Sequence, residues 1–384
     1  LFFGHDLPAA VANLASMLPS VPNSFGRLSE AYLSAFLALD GKPNPLSLPA
    51  KQSYLVILVD GLGVANIKSA GGHAGFLNQK LSTSKSLFSG FPTTTATSLA
   101  SFSTGKQSGE HAFIGYRVFD RGLSKPINLL NDLGLEFPPS KYQDLETISE
   151  LATEAGKRVL TVGPGEYEGS GFTQATMPAA KYLAAKTLQE RFQTARSEIA
   201  LPGSLVYLYI PELDQIAHRF GSGSQNWLNT IEELDSELSA FIKSLPKSSG
   251  AILTADHGVI DVAQSSHIYL EHYKSLNGLA MIGGDPRVGF LYFDTGIDLV
   301  AKREALQAEL GSLIEVVTIQ DLVDAGWYQP LSESAKKLAP DLILLPRGDR
   351  VVYHREFARV KSVSMIGQHG GMSKAEWEVP LLVF

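Results

Sequence analysis

The chain has 384 residues, 44% of them hydrophobic and 18% charged, a balance that suits packed globular domains and excludes a largely disordered chain. With 32 basic residues against 39 acidic, a net charge of −7 and no Lys/Arg run, nothing in it tracks a phosphate backbone, so no nucleic-acid polymer is expected as a partner. The absence of cysteine excludes disulfides, thiolate metal sites and cysteine nucleophiles, and the length fits two to three domains, or one large α/β domain with an insertion.

In chain order, residues 1–50 mix apolar pairs with repeated Pro and Ser and end in Gly41-Lys42-Pro43-Asn44-Pro45, which predicts a partly helical arm leading into the main body. Residues 54–59 form a continuous apolar run stopped by Asp60-Gly61-Leu62-Gly63, the pattern of a strand buried on both faces. A helix over about 146–155 ends at Gly156, a stop signal before the next strand. Short apolar runs recur at 159–162, 205–210, 251–255, 288–293 and 342–345, most of them flanked by helical periodicity, and alternating strand and helix predicts a mainly parallel sheet. The clearest helix covers 225–245, where Trp227, Leu228, Ile231, Leu234, Leu238, Phe241, Ile242 and Leu245 fall three or four apart between acidic residues, so that one face lies against the sheet. From Gly258 to about Gly367 the texture changes, with a helix over 299–310 and strand-like runs near Gly289 and Ile314, which predicts a smaller inserted α+β subdomain. Every apolar run is far shorter than the ~20 residues of a spanning helix. Nothing at the start pairs a basic segment with an apolar core, so a soluble chain is expected, cytoplasmic or exported with its leader removed.

Ligands of open parallel sheets bind beyond the carboxyl ends of the strands, and the residues following three of the predicted strands are Asp60, the segment Pro211-Glu212-Leu213-Asp214-Gln215-Ile216-Ala217-His218, and Asp256-His257-Gly258. Taken singly, each has a plainer reading. Asp60 before Gly61 is a turn residue, Asp214 and His218 are an i, i+4 surface pair, and His369 is a polar residue in a glycine loop. Together Asp60, Asp214, His218, Asp256, His257 and His369 make six Asp and His groups, the number and type that two divalent transition ions need. The other histidines, His5, His73, His111, His267, His272 and His354, are read as structural. The run Phe91-Pro92-Thr93-Thr94-Thr95-Ala96-Thr97-Ser98 is either a β-branched strand end with an N-cap or a hydroxyl nucleophile at a helix N-terminus, where the dipole favours an anionic oxygen and a phosphate. In the second case a metal ion is required to activate so weak a nucleophile.

The order of these motifs, strand-Asp-Gly, Pro-Thr-x-Thr opening a helix, Asp214-x-x-x-His218, Asp256-His257-Gly258 and Gly367-Gln368-His369-Gly370, resembles the alkaline phosphatase superfamily, and within it the nucleotide pyrophosphatase/phosphodiesterase family of type I phosphodiesterases. The resemblance runs from residue 54 to the C-terminus. It implies an alkaline-phosphatase-like three-layer α/β/α sandwich with a mainly parallel central sheet; the arm at 1–50 and the insertion lie outside it, which leaves a core at 51–258 and 367–384 and a smaller inserted α+β subdomain with connecting core elements at 259–366. It implies Thr95 as nucleophile; Asp60, Asp256 and His257 as ligands of the ion beside it; Asp214, His218 and His369 as ligands of the other; and two divalent ions, zinc by the family's habit. The expected activity is cleavage of a phosphodiester or nucleotide pyrophosphate bond in a small phosphorylated substrate through a phosphothreonine intermediate. A phosphomonoesterase, phosphonate hydrolase or phosphotransferase of the same superfamily, or a catalytically silent metal-binding module, are the alternatives. Two positions depart from the family pattern. Ala96 replaces the phenylalanine that stacks on a nucleotide base, and the asparagine 21 residues after the nucleophile becomes Tyr116. Tyr116 either donates the same hydrogen bond to a phosphate oxygen or is a core aromatic; Arg117 either reaches a phosphate, favouring a doubly charged monoester, or is a solvated surface charge.

Overall fold

A computed structural model describes residues 18–358 and 360–384. The part of the predicted arm before residue 18 lies outside them.

The centre of the molecule is an eight-stranded sheet. In chain order its strands are β1 (Gly26–Arg27), β2 (Ser53–Val59), β3 (Lys85–Phe88), β4 (Arg158–Gly163), β5 (Lys181–Ala184), β6 (Ser204–Ile210) and β7 (Ser249–Thr254), closed by a C-terminal strand at Glu378–Val383. In space the order is β1, β3, Glu378–Val383, β7, β2, β6, β4, β5. The C-terminal strand runs antiparallel to both its neighbours, while β7, β2, β6, β4 and β5 pair in parallel, as the alternation of strands and helices predicts. All seven residues of β2 are buried, which is why 54–59 reads as an unbroken apolar run; the polar side chain of the strand's first residue, Ser53, donates to the Ile199 carbonyl.

Helix α1 (Ser29–Leu39) packs against α2 (Thr95–Thr104), and α3 (Leu188–Ile199) against β6. Helix α4 (Glu212–Phe220) packs against α5 (Gln225–Lys243). Trp227, Ile231, Leu234, Leu238 and Phe241 form the buried stripe of α5, and Ser224 caps its first turn. The helix predicted near 146–155 is observed at Ile148–Glu154, started by a capping box between Thr147 and Glu150. Among the described residues no helix is long and apolar enough to cross a membrane.

A second, four-stranded sheet consists of β8 (Leu279–Asp285), β9 (Val288–Phe293), β10 (Ile314–Val317) and β11 (Leu342–Pro346), in the spatial order β8, β9, β11, β10 and antiparallel throughout. Leu306 and Leu310 of the helix Leu299–Leu310 join a separate small core with Leu291, Phe293, Ile314 and Leu342. The runs at 288–293 and 342–345 are therefore strands, but of this sheet rather than the parallel one. An all-apolar run records burial on both faces and says nothing of its partner.

Ile57 sits in the middle of β2 with no exposed surface. Ile57→Ala is expected to lower stability by about 2–5 kcal/mol, read as a lower urea midpoint at unchanged slope; an unchanged midpoint would show that this strand is not packed as described.

Candidate active site

Strand register assembles the site. Val59 of β2 lies opposite Ile210 of β6, and Leu58 opposite Thr254 of β7. The three strands thus end level, and Asp60, α4 and Asp256-His257 leave the sheet at one edge. Helix α4 begins at Glu212 and carries Asp214 and His218 one turn apart. The turn after Asp60 reaches α4 so closely that a Cβ at Gly61, where φ is +73°, would stand 2.9 Å from the Asp214 Cβ. Only glycine suits that backbone and that approach. The Gly61 N–H donates to the Asp256 carboxylate (3.1 Å), linking the two strand ends.

Thr95 is the first residue of α2, with Thr94 as its N-cap. The preceding Thr93 fastens this segment to the C-terminal glycine loop. Its hydroxyl donates to the Gly371 carbonyl (2.9 Å) and accepts from the Gly370 N–H (3.0 Å), and its carbonyl lies 2.9 Å from His369 Nδ1. His369 is thereby delivered beside Thr95 from a position far away in the chain.

The six predicted Asp and His residues and the Thr95 hydroxyl converge. His257 Nε2 lies 3.2 Å from Thr95 Oγ1, 3.5 Å from Asp60 Oδ1 and 3.4 Å from Asp256 Oδ2. His218 Nε2 lies 3.2 Å from Asp214 Oδ2, and His369 Nε2 3.9 Å from Asp214 Oδ1. Donor atoms of Asp214, His218 and His369 lie within 4.8 Å of one another, and so do those of Asp60, Asp214 and His257. Asp214 belongs to both groups, so the two positions are adjacent. The His257 and His369 rings stack at 3.7 Å.

Each imidazole is oriented by a backbone carbonyl at Nδ1: Gly367 for His218 (2.8 Å), Thr93 for His369 (2.9 Å) and Gly258 for His257 (3.3 Å). A carbonyl only accepts, so each Nδ1 carries a proton and each Nε2 is turned toward the site, the orientation of a histidine prepared for a metal; His257 and His369 are neutral there, while the metal-free His218 is paired with Asp214 and gives up its Nε2 proton when an ion binds. One oxygen each of Asp60, Asp214 and Asp256 is buried without a hydrogen-bond partner. Such orphaned carboxylate oxygens are costly unless a cation meets them, and with imidazoles turned toward them by Nε2 the donor set fits divalent metal.

Titration reflects the crowding. Burial, and then the fields of Asp256 and Asp214, push the Asp60 carboxyl well above the ordinary carboxylate range. Burial and Asp214 push Asp256 up to about 6. Burial also acts to raise Asp214, but the attraction of His218 outweighs it and leaves this carboxyl below its ordinary value. Burial works against the charge on His218, yet Asp214 holds it up to about 9. Burial draws His257 down to about 4 and His369 down to about 3.

Asp60, Thr95, Asp214, His218 and His369 line a cavity of about 990 Å³ that also takes in Tyr116, Arg117, Tyr167, Tyr209, Asp285 and His354; Asp256 and His257 lie behind that lining with no exposed surface. The Tyr116 hydroxyl accepts from Asn131 (3.2 Å), and Arg117 donates to the Phe357 carbonyl (2.8 Å); both stand in the cavity wall. Ala96 is fully buried. Of the remaining histidines, His73 pairs with Glu232 and the buried His111 with the Ser101 hydroxyl, while His5 lies outside the described residues. Sequence reasoning missed Tyr209, whose hydroxyl donates to Asp60 Oδ2, and Asp285, a buried carboxylate brought in by the β8–β9 turn. Tyr209 was discernible as a polar-tipped aromatic near a strand end, whereas Gly284-Asp285-Pro286 reads as an ordinary turn.

A model of the family described as type I phosphodiesterase/nucleotide pyrophosphatase matches residues 54–372. No curated protein matches the sequence. Among solved structures, murine ectonucleotide pyrophosphatase/phosphodiesterase 5 is similar with a TM-score of 0.69 at 16% identity, covering 86% of this chain and 87% of that one. Its inactive threonine-to-alanine variant in complex with AMP gives the same values. The human protein of that name is similar with a TM-score of 0.67 at 16% identity, over 86% and 87% of the two chains. At this identity the structural likeness carries the fold, an alkaline-phosphatase-like α/β architecture; the family match carries the family.

Burial of Asp256 makes a testable demand on the metal-free protein. Its carboxyl is raised from 3.8 to about 6, so near pH 3.5 it is protonated folded and unfolded alike, and stability is lost as the pH climbs through about 6. In chelator, Asp256→Asn is expected to melt like the unsubstituted chain near pH 3.5 and a few degrees above it at about pH 7.5. A lower melting temperature at the higher pH would mean that the chain itself already supplies the compensating charge.

Proposed function

From the premise that the chain belongs to the type I phosphodiesterase/nucleotide pyrophosphatase family and is a hydrolase of phosphoric ester bonds, we propose that it cleaves a phosphodiester or pyrophosphate bond of a small substrate by double displacement through Thr95. The observation that carries this reading is a pair of adjacent Asp/His groups that share Asp214, one of which brings His257 Nε2 to 3.2 Å from Thr95 Oγ1. Asp60, Asp256 and His257 would hold one divalent ion beside Thr95, and Asp214, His218 and His369 a second, zinc in each case given imidazole and carboxylate donors. When bound, such ions supply the positive charge that lets a threonine hydroxyl ionise and that steadies the oxygens on either side of phosphorus.

The chain's own residues do the rest. Thr95, at the first turn of α2, points its hydroxyl where N–H groups and the helix dipole favour a phosphoryl oxygen. Its Oγ attacks phosphorus; the Oγ–P bond forms as the bond from phosphorus to the leaving oxygen breaks, and the departing group takes a proton. Water then adds to phosphorus, the Oγ–P bond breaks, and the Thr95 hydroxyl is restored. Tyr209, bonded to the outer oxygen of Asp60, leaves that residue's other oxygen facing inward. Tyr116 and Arg117 would bind substrate from the cavity wall. Arg117 is already engaged by the Phe357 carbonyl, which favours a singly charged diester over a doubly charged monoester. The same reading divides the chain into a core at 51–258 and 367–384 and an insertion at 259–366 that completes the cavity.

Zinc-loaded protein is expected to hold two ions per chain and to hydrolyse bis(p-nitrophenyl) phosphate faster than p-nitrophenyl phosphate. Thr95→Ala should lower kcat by ~10³-fold or more, in keeping with removal of a nucleophile, with both ions retained. A monoester preference would move the activity to a phosphomonoesterase of the same superfamily, and unaltered turnover in Thr95→Ala would remove the covalent route. His218→Ala should lose one ion and keep the other; retention of both would overturn the ligand assignment.

A further inference from the structure

Outside the cluster of proposed ligands lies a buried ion pair that catalysis does not use. Arg287, in the turn between β8 and β9 of the second sheet, and Glu376, on the short helix Lys374–Trp377 of the core, are both essentially without exposed surface. The pair is bidentate: Nε to Oε1 at 3.0 Å and Nη2 to Oε2 at 2.7 Å. Arg287 Nη1 also donates to the carbonyls of Gly348 (2.7 Å) and Arg350 (2.6 Å). A buried pair is weak evidence for stability, because desolvation offsets most of its attraction. What this one holds is therefore more informative than what it contributes energetically.

It holds the loop that carries His369. Glu376 Oε1 accepts from the Gly371 N–H at 2.8 Å, and a Cβ at Gly371 would come within 3.0 Å of both Glu376 and Arg287. On its other side the same loop is gripped by Thr93, through the Gly370 N–H, the Gly371 carbonyl and His369 Nδ1. His369 thus sits between two clamps, one built into the nucleophile segment and one delivered from the second sheet. We propose that Arg287, acting through Glu376, is a positioning residue for His369 and so sets the affinity of the ion assigned to Asp214, His218 and His369; this rests on the two-ion reading above. Groups that orient a metal-binding side chain without touching the metal commonly change affinity about 10–100-fold when removed.

The experiment titrates zinc-loaded protein with a chromophoric chelator and resolves the two ions. Arg287→Met leaves Glu376 charged, buried and unpaired, which can unfold the chain, so the charge-free double variant Arg287→Met/Glu376→Met is made alongside it. Thr93→Val, which removes the opposing clamp's hydroxyl, is the third variant. The expected result is that one ion of the two is weakened about 10-fold or more in the double variant and in Thr93→Val while the other ion keeps its affinity, and that kcat of the double variant recovers at saturating zinc. A structural role alone would shift the melting temperature of the metal-free protein without separating the two ions. Unchanged affinities, or an equal fall in both, in a variant that melts cooperatively would overturn the proposal. Unsubstituted protein that takes up fewer than two ions would instead overturn the two-ion reading itself.

Discussion

The carboxylates of Asp60, Asp214 and Asp256 are held almost free of solvent within reach of a single imidazole, that of His257. Two like charges 4 Å apart at the edge of a protein repel by about 4 kcal/mol, and here burial adds a penalty to each. The metal-free chain relieves this by raising two of the carboxyls and pairing the third with His218. Each of the three still keeps one oxygen without a partner. A site so arranged is poor as a structural feature and well matched to divalent cations, and much of the surrounding architecture serves to hold it against its own repulsion.

The sheet supplies the stiffness. Because β2, β6 and β7 are paired in register along their lengths and buried on both faces, the residues at their carboxyl ends have little freedom to move apart. Backbone groups supply the orientation: carbonyls fix the three imidazoles, N–H groups of Gly61 and His257 hold Asp256, and the Tyr209 hydroxyl turns Asp60. These partners do not compete with a metal for the Nε2 lone pairs. The result is a site prepared before any ion arrives, which lowers the reorganisation required on binding.

The second sheet contributes differently. It gives none of the six proposed ligands, yet its β8–β9 turn closes one side of the cavity with Asp285 and reaches the core through Arg287. The Asp/His cluster on the edge of one sheet is thus bounded by a turn of another, so the shape of the cavity beside it depends on how the two are joined. The cavity of about 990 Å³ is of the size that small-molecule ligands occupy, while the buried Ala96 offers no aromatic face beside Thr95.

Read alone, the sequence determined the central strands, the long amphipathic helix expected at 225–245 and found at Gln225–Lys243, and the three Asp/His motifs at strand ends. Those features are local: a buried parallel strand must be apolar throughout, and a helix must repeat its apolar face every three or four residues. It also determined the short motifs whose order carries the family. Only the tertiary structure decided which strands share a sheet, and it assigned 288–293 and 342–345 to the antiparallel one, because apolar runs carry no record of their partners. Only the tertiary structure showed that Thr93 ties His369 to the segment that carries Thr95, and that Arg287 and Glu376 meet across the boundary between the sheets. Those contacts join residues tens to hundreds of positions apart through single hydrogen bonds, and no periodicity, composition or spacing along one chain encodes them.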